Sequence, residues 1–75
     1  MTPIRVFVNA TPVDVDAGAT ALECVRRWRA EEADAVTAGQ RVITDSRGLP
    51  VAGDTSAHAG SIYRTVPNRA TARDD

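Results

Sequence analysis

The sequence predicts an α+β domain in which a mixed sheet of four or five strands carries one main helix. Three observations lead there. Residues 3–9, PIRVFVN, alternate Ile4, Val6 and Val8 with Arg5, Phe7 and Asn9, the period of two of a half-buried strand. Thr20-Ala21-Leu22-Glu23 has the form of a capping box and opens an amphipathic stretch. Residues 61–66, SIYRTV, alternate again and are closed by Pro67.

Asn9-Ala10 supplies a turn, since Asn tolerates left-handed dihedrals, and Pro12 to Asp16 resumes alternation with Val13 and Val15 inward. The pair reads as a hairpin with Pro12 near the start of its second strand, where a missing donor is tolerated. Ala17-Gly18 breaks the strand. A helix then runs from about Ala21 to about Ala33, with Leu22, Val25 and Trp28 forming an apolar stripe and Trp28 the largest core residue. Asp34 to Gly39 reads as a connection. Arg41-Val42-Ile43-Thr44 offers a short buried strand, and Asp45-Ser46-Arg47-Gly48 places Asp first and Gly fourth in a type I turn. Leu49-Pro50-Val51 returns from it, and residues 52–60 cross irregularly to the last strand. There, Ile62, Arg64 and Val66 are expected to face the helix and Tyr63 and Thr65 to face outward. The domain so drawn spans residues 1–67, with 68–75 a flexible C-terminal tail.

Composition excludes several classes. Seventy-five residues support one core and little cleft. Nine arginines and no lysines against ten acids give a net charge of -1, without the basic excess of a nucleic-acid footprint. No apolar run approaches the roughly 20 residues of a membrane span, and the first residues enter a strand pattern without a signal core, so no membrane association or secretion is expected. Cys24 is the sole cysteine, which excludes a disulfide framework and fits a reducing, cytoplasmic setting.

A hairpin, a helix crossing the sheet, one or two further strands and a final strand beside the first is the order of a β-grasp. IRVFVNATPVDVDAGATALECVRRW, with a strand ending in Val-Asn, a turn, a second strand, then Gly-x-Thr and a helix, resembles the opening of bacterial sulfur-carrier proteins. VITDSRGLPVAGDTSAHAGSIYRTV is compatible with their remaining strands, so the resemblance covers residues 4–66. It implies a ubiquitin-like protein whose C-terminal glycine carboxylate is adenylated by an activating enzyme. This chain departs from that pattern, its last glycine being Gly60, before the final strand.

The candidate residues follow. Arg5, Phe7, Tyr63 and Thr65 are expected on one outward face, an aromatic pair rimmed by arginine with the composition of a protein-binding surface. Pro67, Asn68 and Arg69 mark where a processing protease could trim the chain to expose a carboxylate for an adenylating enzyme. His58 reads as a loop residue and Cys24 as a small buried hydrophobe. No metal site, cofactor or catalytic set is expected, because no nucleophile, base and orienting group can be assembled. Two functions stay open: a ubiquitin-like modifier or carrier that acts through partner recognition, and a stand-alone non-catalytic adaptor with the same fold but no carboxyl chemistry.

Overall fold

The chain begins its fold with a hairpin, β1 (Pro3–Val8) antiparallel to β2 (Thr11–Asp16), and the computed structural model describes residues 2–68. Val8 faces Thr11 across a two-residue loop in which Asn9 has φ 51° and Ala10 φ 69°. Both being left-handed, the loop has the backbone of a type I′ turn, whose twist matches that of the flanking strands. In register, Ile4, Val6 and Val8 share the inner face with Val15, Val13 and Thr11. Val6 and Val8 are fully buried.

The capping box forms as its residue types require. The Glu23 amide donates to Thr20 Oγ1 at 3.2 Å, and the Thr20 amide donates to Glu23 Oε1 at 2.9 Å. The crossing segment completes the cap, its Thr55 and Gly53 carbonyls accepting the amides of Ala21 and Leu22 at 2.8 and 3.0 Å. Every early donor of this helix named here is therefore satisfied within the chain.

One expected helix is two. α1 (Ala21–Trp28) ends at Arg29, which is extended at φ -154° and ψ 122°, and α2 (Ala30–Thr37) starts directly after it. The reason lies in coverage. A single helix over these 17 residues would be roughly 25 Å long, whereas four strands span only about 14 Å between their outer axes. The break lets α1 lie on β1 and β2 while α2 turns to cover the third strand. Ala33 records it: in one continuous helix it would lie about 80° from Val25 and about opposite Cys24, yet all three are fully buried. Trp28 is a second correction. It is half-buried at the edge of the core with the Arg29 guanidinium 4.9 Å over its ring, and the largest fully buried side chain is Ile43.

α2 ends in a Schellman motif, with the Gln40 amide donating to the Ala35 carbonyl and the Gly39 amide to that of Val36. Gly39, at φ 82°, supplies the left-handed residue this ending needs. β3 (Arg41–Thr44) follows, then the Asp45–Gly48 turn, with the Gly48 amide on the Asp45 carbonyl at 3.0 Å. Pro50 returns beside Thr44 as an isolated bridge, and the Val51 amide reaches the Ile43 carbonyl.

β4 (Ile62–Pro67) enters the middle of the sheet, giving the order β2-β1-β4-β3. It runs parallel to β1 over Phe7↔Ile62 and Val8↔Tyr63, then antiparallel to β3 from Thr44↔Arg64 to Arg41↔Pro67. The last strand thus passes from one neighbour to the other halfway along its length. Asn68 continues the second ladder, its amide on the Gln40 carbonyl at 3.0 Å and its Nδ2 on the Gly39 carbonyl at 2.8 Å. Asn68, the first residue of the expected tail, is thus bonded to the chain before β3, and the rest of that expected tail, 69–75, lies outside the described residues. No described helix is long and apolar enough to cross a membrane.

Candidate functional site: the outer face of the sheet

Both helices lie on one side of the sheet, so strand parity decides which side chains look outward. On β1 these are Pro3, Arg5 and Phe7, and on β2 Pro12, Asp14 and Asp16, as expected. On β4 the sequence expectation is reversed. Tyr63 and Thr65 are buried, at 5% and 6% exposure, while Ile62 at 44% and Arg64 look outward. Tyr63 and Thr65 therefore do not join Arg5 and Phe7 on the outer face; Ile62 and Arg64 do.

The physical reason is the arginine. An inward row of Ile62, Arg64 and Val66 would place an unpaired guanidinium under the helices, which costs more than burying the hydroxyls of Tyr63 and Thr65. Tyr63 fills the space beside Cys24, and burial pushes its phenol pKa up against the opposing pull of a hydrogen bond to Ser61. Thr65 finds partners for all its polar atoms, described below. The polarity of Arg64 was the signal for this parity, and it was outweighed in the expectation by the apolar Ile62 and Val66.

The outer face has a defined chemistry. Phe7 pairs with Ile62 in the centre, and Val42 with Val66 beside them, all half-buried or exposed apolar groups. Arg5 is neutralised across β1–β2 by Asp14, with Nε to Oδ1 at 2.9 Å. The pair raises the Arg5 pKa and holds the Asp14 carboxyl below its usual range, chiefly through their hydrogen bond. Arg64 has no side-chain partner among the described residues. Leu49, 50% exposed, stands beyond β3 in the Asp45 turn.

The sheet edges are less available. In the hairpin, Thr11, Val13 and Val15 direct their backbone groups to β1, so those of Pro12, Asp14 and Asp16 point to the free edge. Pro12 removes one donor there and two aspartates charge the rest, both of which discourage strand addition. The β3 edge is occupied in part by residues 49–51.

Behind the sheet lies a polar cluster that the sequence did not signal. Asn9 Oδ1 accepts the Thr65 amide at 3.1 Å and Asn9 Nδ2 donates to Thr65 Oγ1 at 3.0 Å. Thr65 Oγ1 in turn donates to Glu32 Oε2 at 2.8 Å, and Arg41 Nη2 donates to the Thr65 carbonyl at 2.9 Å. Glu32 and Arg41 are ion-paired, and Arg41 Nε is buried against that carboxylate without forming a hydrogen bond. Four residues distant in sequence meet here, which is why no local pattern revealed them.

The remaining candidates stay apart. His58 is exposed in its loop, its amide on Ser61 Oγ at 2.9 Å. Cys24 is fully buried, and burial followed by the charge of Glu23 pushes its thiol pKa up, away from nucleophilic use. An open hollow of about 560 Å³ beside β2 and α1 is lined by Asp14, Asp16, Glu23 and Arg27, among others. Glu23 there is engaged in the helix cap and Asp14 with Arg5. Among the described residues no group of three His, Cys, Asp or Glu side chains is placed to hold a metal ion.

The class of protein these features define is a small α+β domain with a mixed four-stranded sheet and two helices on one face, the other face carrying no helix among the described residues. Compared with protein-family models, with curated proteins and with solved structures, the chain matches none of them.

Proposed function

We propose that this chain is a non-catalytic protein of the β-grasp, ubiquitin-like type, and that it works by being recognised through the outer face of its sheet. The observation that carries the reading is the uncovered Phe7–Ile62 pair with Arg64 unneutralised beside it. A contiguous apolar group rimmed by charge on an exposed sheet face has the composition of an interaction surface. The resemblance of residues 4–66 to sulfur carriers and the pairing of the last strand beside the first support the fold part of the proposal. The activating enzyme and the processing protease belong to it as partners. Asn68, the last described residue, is tied into the sheet, so a carboxylate exposed at Asn68 or Arg69 would keep every described contact of the domain.

A photo-crosslinking residue placed at Ile62, and in a second protein at exposed Glu31 on the helix layer, tests recognition in the native host. Discrete adducts at position 62 and none at 31 are expected; equal, diffuse labelling at both sinks the proposal. Intact mass of the chain recovered from that host tests the terminus. A species ending at Asn68 or Arg69 supports the modifier or carrier, and a persistently full-length chain with specific adducts at 62 makes it an adaptor.

A further inference from the structure

The parallel ladder between β1 and β4 stops where β1 turns away. The Phe7 amide reaches the Ser61 carbonyl and the Asn9 amide the Tyr63 carbonyl, both at 2.9 Å. The next step of a parallel ladder would bring a backbone carbonyl to the Thr65 amide. None is there, because Asn9 and Ala10 form the hairpin loop. The other side of β4 does not serve Thr65 either. With the Asn68 amide on Gln40, alternation makes Val66 and Arg64 the residues that bond to Val42 and Thr44, and turns the backbone groups of Thr65 toward the missing strand.

Side chains stand in for that strand. Asn9 Oδ1 takes the Thr65 amide, Arg41 Nη2 donates to its carbonyl, and Glu32 accepts its hydroxyl proton while pairing with Arg41. The clasp is made of side chains that can rotate away, and none of its hydrogen bonds belongs to the β3–β4 ladder, so its members can leave with that ladder intact. The clasp also holds a part-buried charge pair, Arg41 with Glu32, whose desolvation offsets part of their attraction. Such a polar cluster stabilises less than an apolar one of equal volume.

We infer that Asn9, Glu32 and Arg41 form a clasp that opens locally, uncovering the Thr65 edge of a central strand without unfolding the domain. Opening exposes one backbone donor and one acceptor at Thr65, three residues before Asn68, the last of the described residues. Its use in handing the chain's end to a partner rests on the function proposed above; the opening itself does not.

Native-state hydrogen exchange of the full chain, followed by NMR at increasing sub-denaturing urea, tests this. The Thr65 amide is expected to exchange at least about tenfold faster than the Val66 amide beside it and with little urea dependence, as a local opening does. Asn9→Gly keeps the left-handed backbone and deletes only the carboxamide. It should speed Thr65 about tenfold relative to Val66, the equivalent of one hydrogen bond of about 1.4 kcal/mol. Glu32→Gln, which discharges the pair with Arg41, should move Thr65 the same way. Equal rates and equal urea slopes for Thr65 and Val66 overturn the clasp, as does an Asn9→Gly protein whose Thr65-to-Val66 ratio is unchanged. Neither result bears on the crosslinking or mass outcomes above.

Discussion

The Asn9 carboxamide holds Thr65 at two points, accepting its amide at 3.1 Å and donating to its hydroxyl at 3.0 Å, across 56 residues of sequence. One side chain thereby joins the hairpin loop to the last strand. Position 9 must satisfy two demands at once, a left-handed backbone at φ 51° and a carboxamide aimed at β4. Asn meets both, being the non-glycine residue most tolerant of that region.

Removing the other end of this contact should be costly. Thr65→Val keeps the shape and deletes the hydroxyl, leaving Asn9 Nδ2 and Glu32 Oε2 each short of a partner. A loss of about 1–3 kcal/mol is expected in urea unfolding. Thr65→Ser, which restores the hydroxyl, should recover most of it; a valine variant as stable as the parent would show that the hydroxyl contributes nothing.

Ala10 is the less comfortable half of the loop, a Cβ-bearing residue at φ 69° with no side-chain bond to compensate. Ala10→Gly gives the Asn-Gly pair that type I′ loops prefer. It should stabilise the protein by about 0.5–1 kcal/mol, the relief of left-handed strain being partly offset by the greater freedom of glycine in the unfolded chain. A urea midpoint that moves downward would contradict the loop geometry.

How much of this was legible in the sequence depends on how local each cause is. The hairpin, the capping box and the Asp45–Gly48 turn rest on residues within four positions of one another, and all three stand where the sequence put them. The break at Arg29 was hidden because no proline or glycine marks it; its cause is the width of the sheet and the burial of Ala33. The facing of β4 was hidden for a different reason. Its two rows, Ile62-Arg64-Val66 and Tyr63-Thr65, each mix apolar and polar atoms, so alternation alone did not rank them. The cost of an unpaired arginine beneath the helices did, and it placed Ile62 and Arg64 on the candidate face in place of Tyr63 and Thr65.

Acid should loosen the Asp45 turn. The Asp45 carboxylate accepts the amides of Leu49 at 3.0 Å and Arg47 at 2.8 Å, and the first of these is the main cause that holds its pKa below the ordinary carboxylate value. A group depressed in the folded state stabilises it fully above the unfolded pKa, and the benefit is lost as pH falls through the folded one. The window is therefore below about pH 4. Asp45→Asn should be less stable than the parent at pH 7, with the gap narrowing in urea titrations near pH 3; a gap independent of pH would rule out the carboxylate's role.

Cys24 offers a test of packing. It is fully buried on α1 and its thiol pKa is raised by burial. The folded protein should therefore react with a thiol reagent at pH 8 orders of magnitude more slowly than in denaturant. The two rates should converge as urea passes the unfolding midpoint; prompt labelling in buffer alone would mean that the α1 packing is wrong.

Two isoleucines separate the core from the outer face of the sheet. Ile43 is 2% exposed beneath the helices, so Ile43→Ala removes buried methyl groups and leaves a cavity, a change worth about 2–5 kcal/mol. In a domain of this size that is a large part of the total stability. Ile62 is 44% exposed on the opposite face, where truncation removes less area from contact than at Ile43. Ile62→Asp should lower the unfolding free energy by about 1 kcal/mol or less, the span of strand propensities, while abolishing the specific adducts formed by a crosslinker at neighbouring Phe7. If Ile62→Asp unfolds the chain and Ile43→Ala does not, the parity of β4 is inverted and the outer face is wrongly assigned. If both variants fold well and the adducts persist in Ile62→Asp, the face is correct but recognition does not run through it.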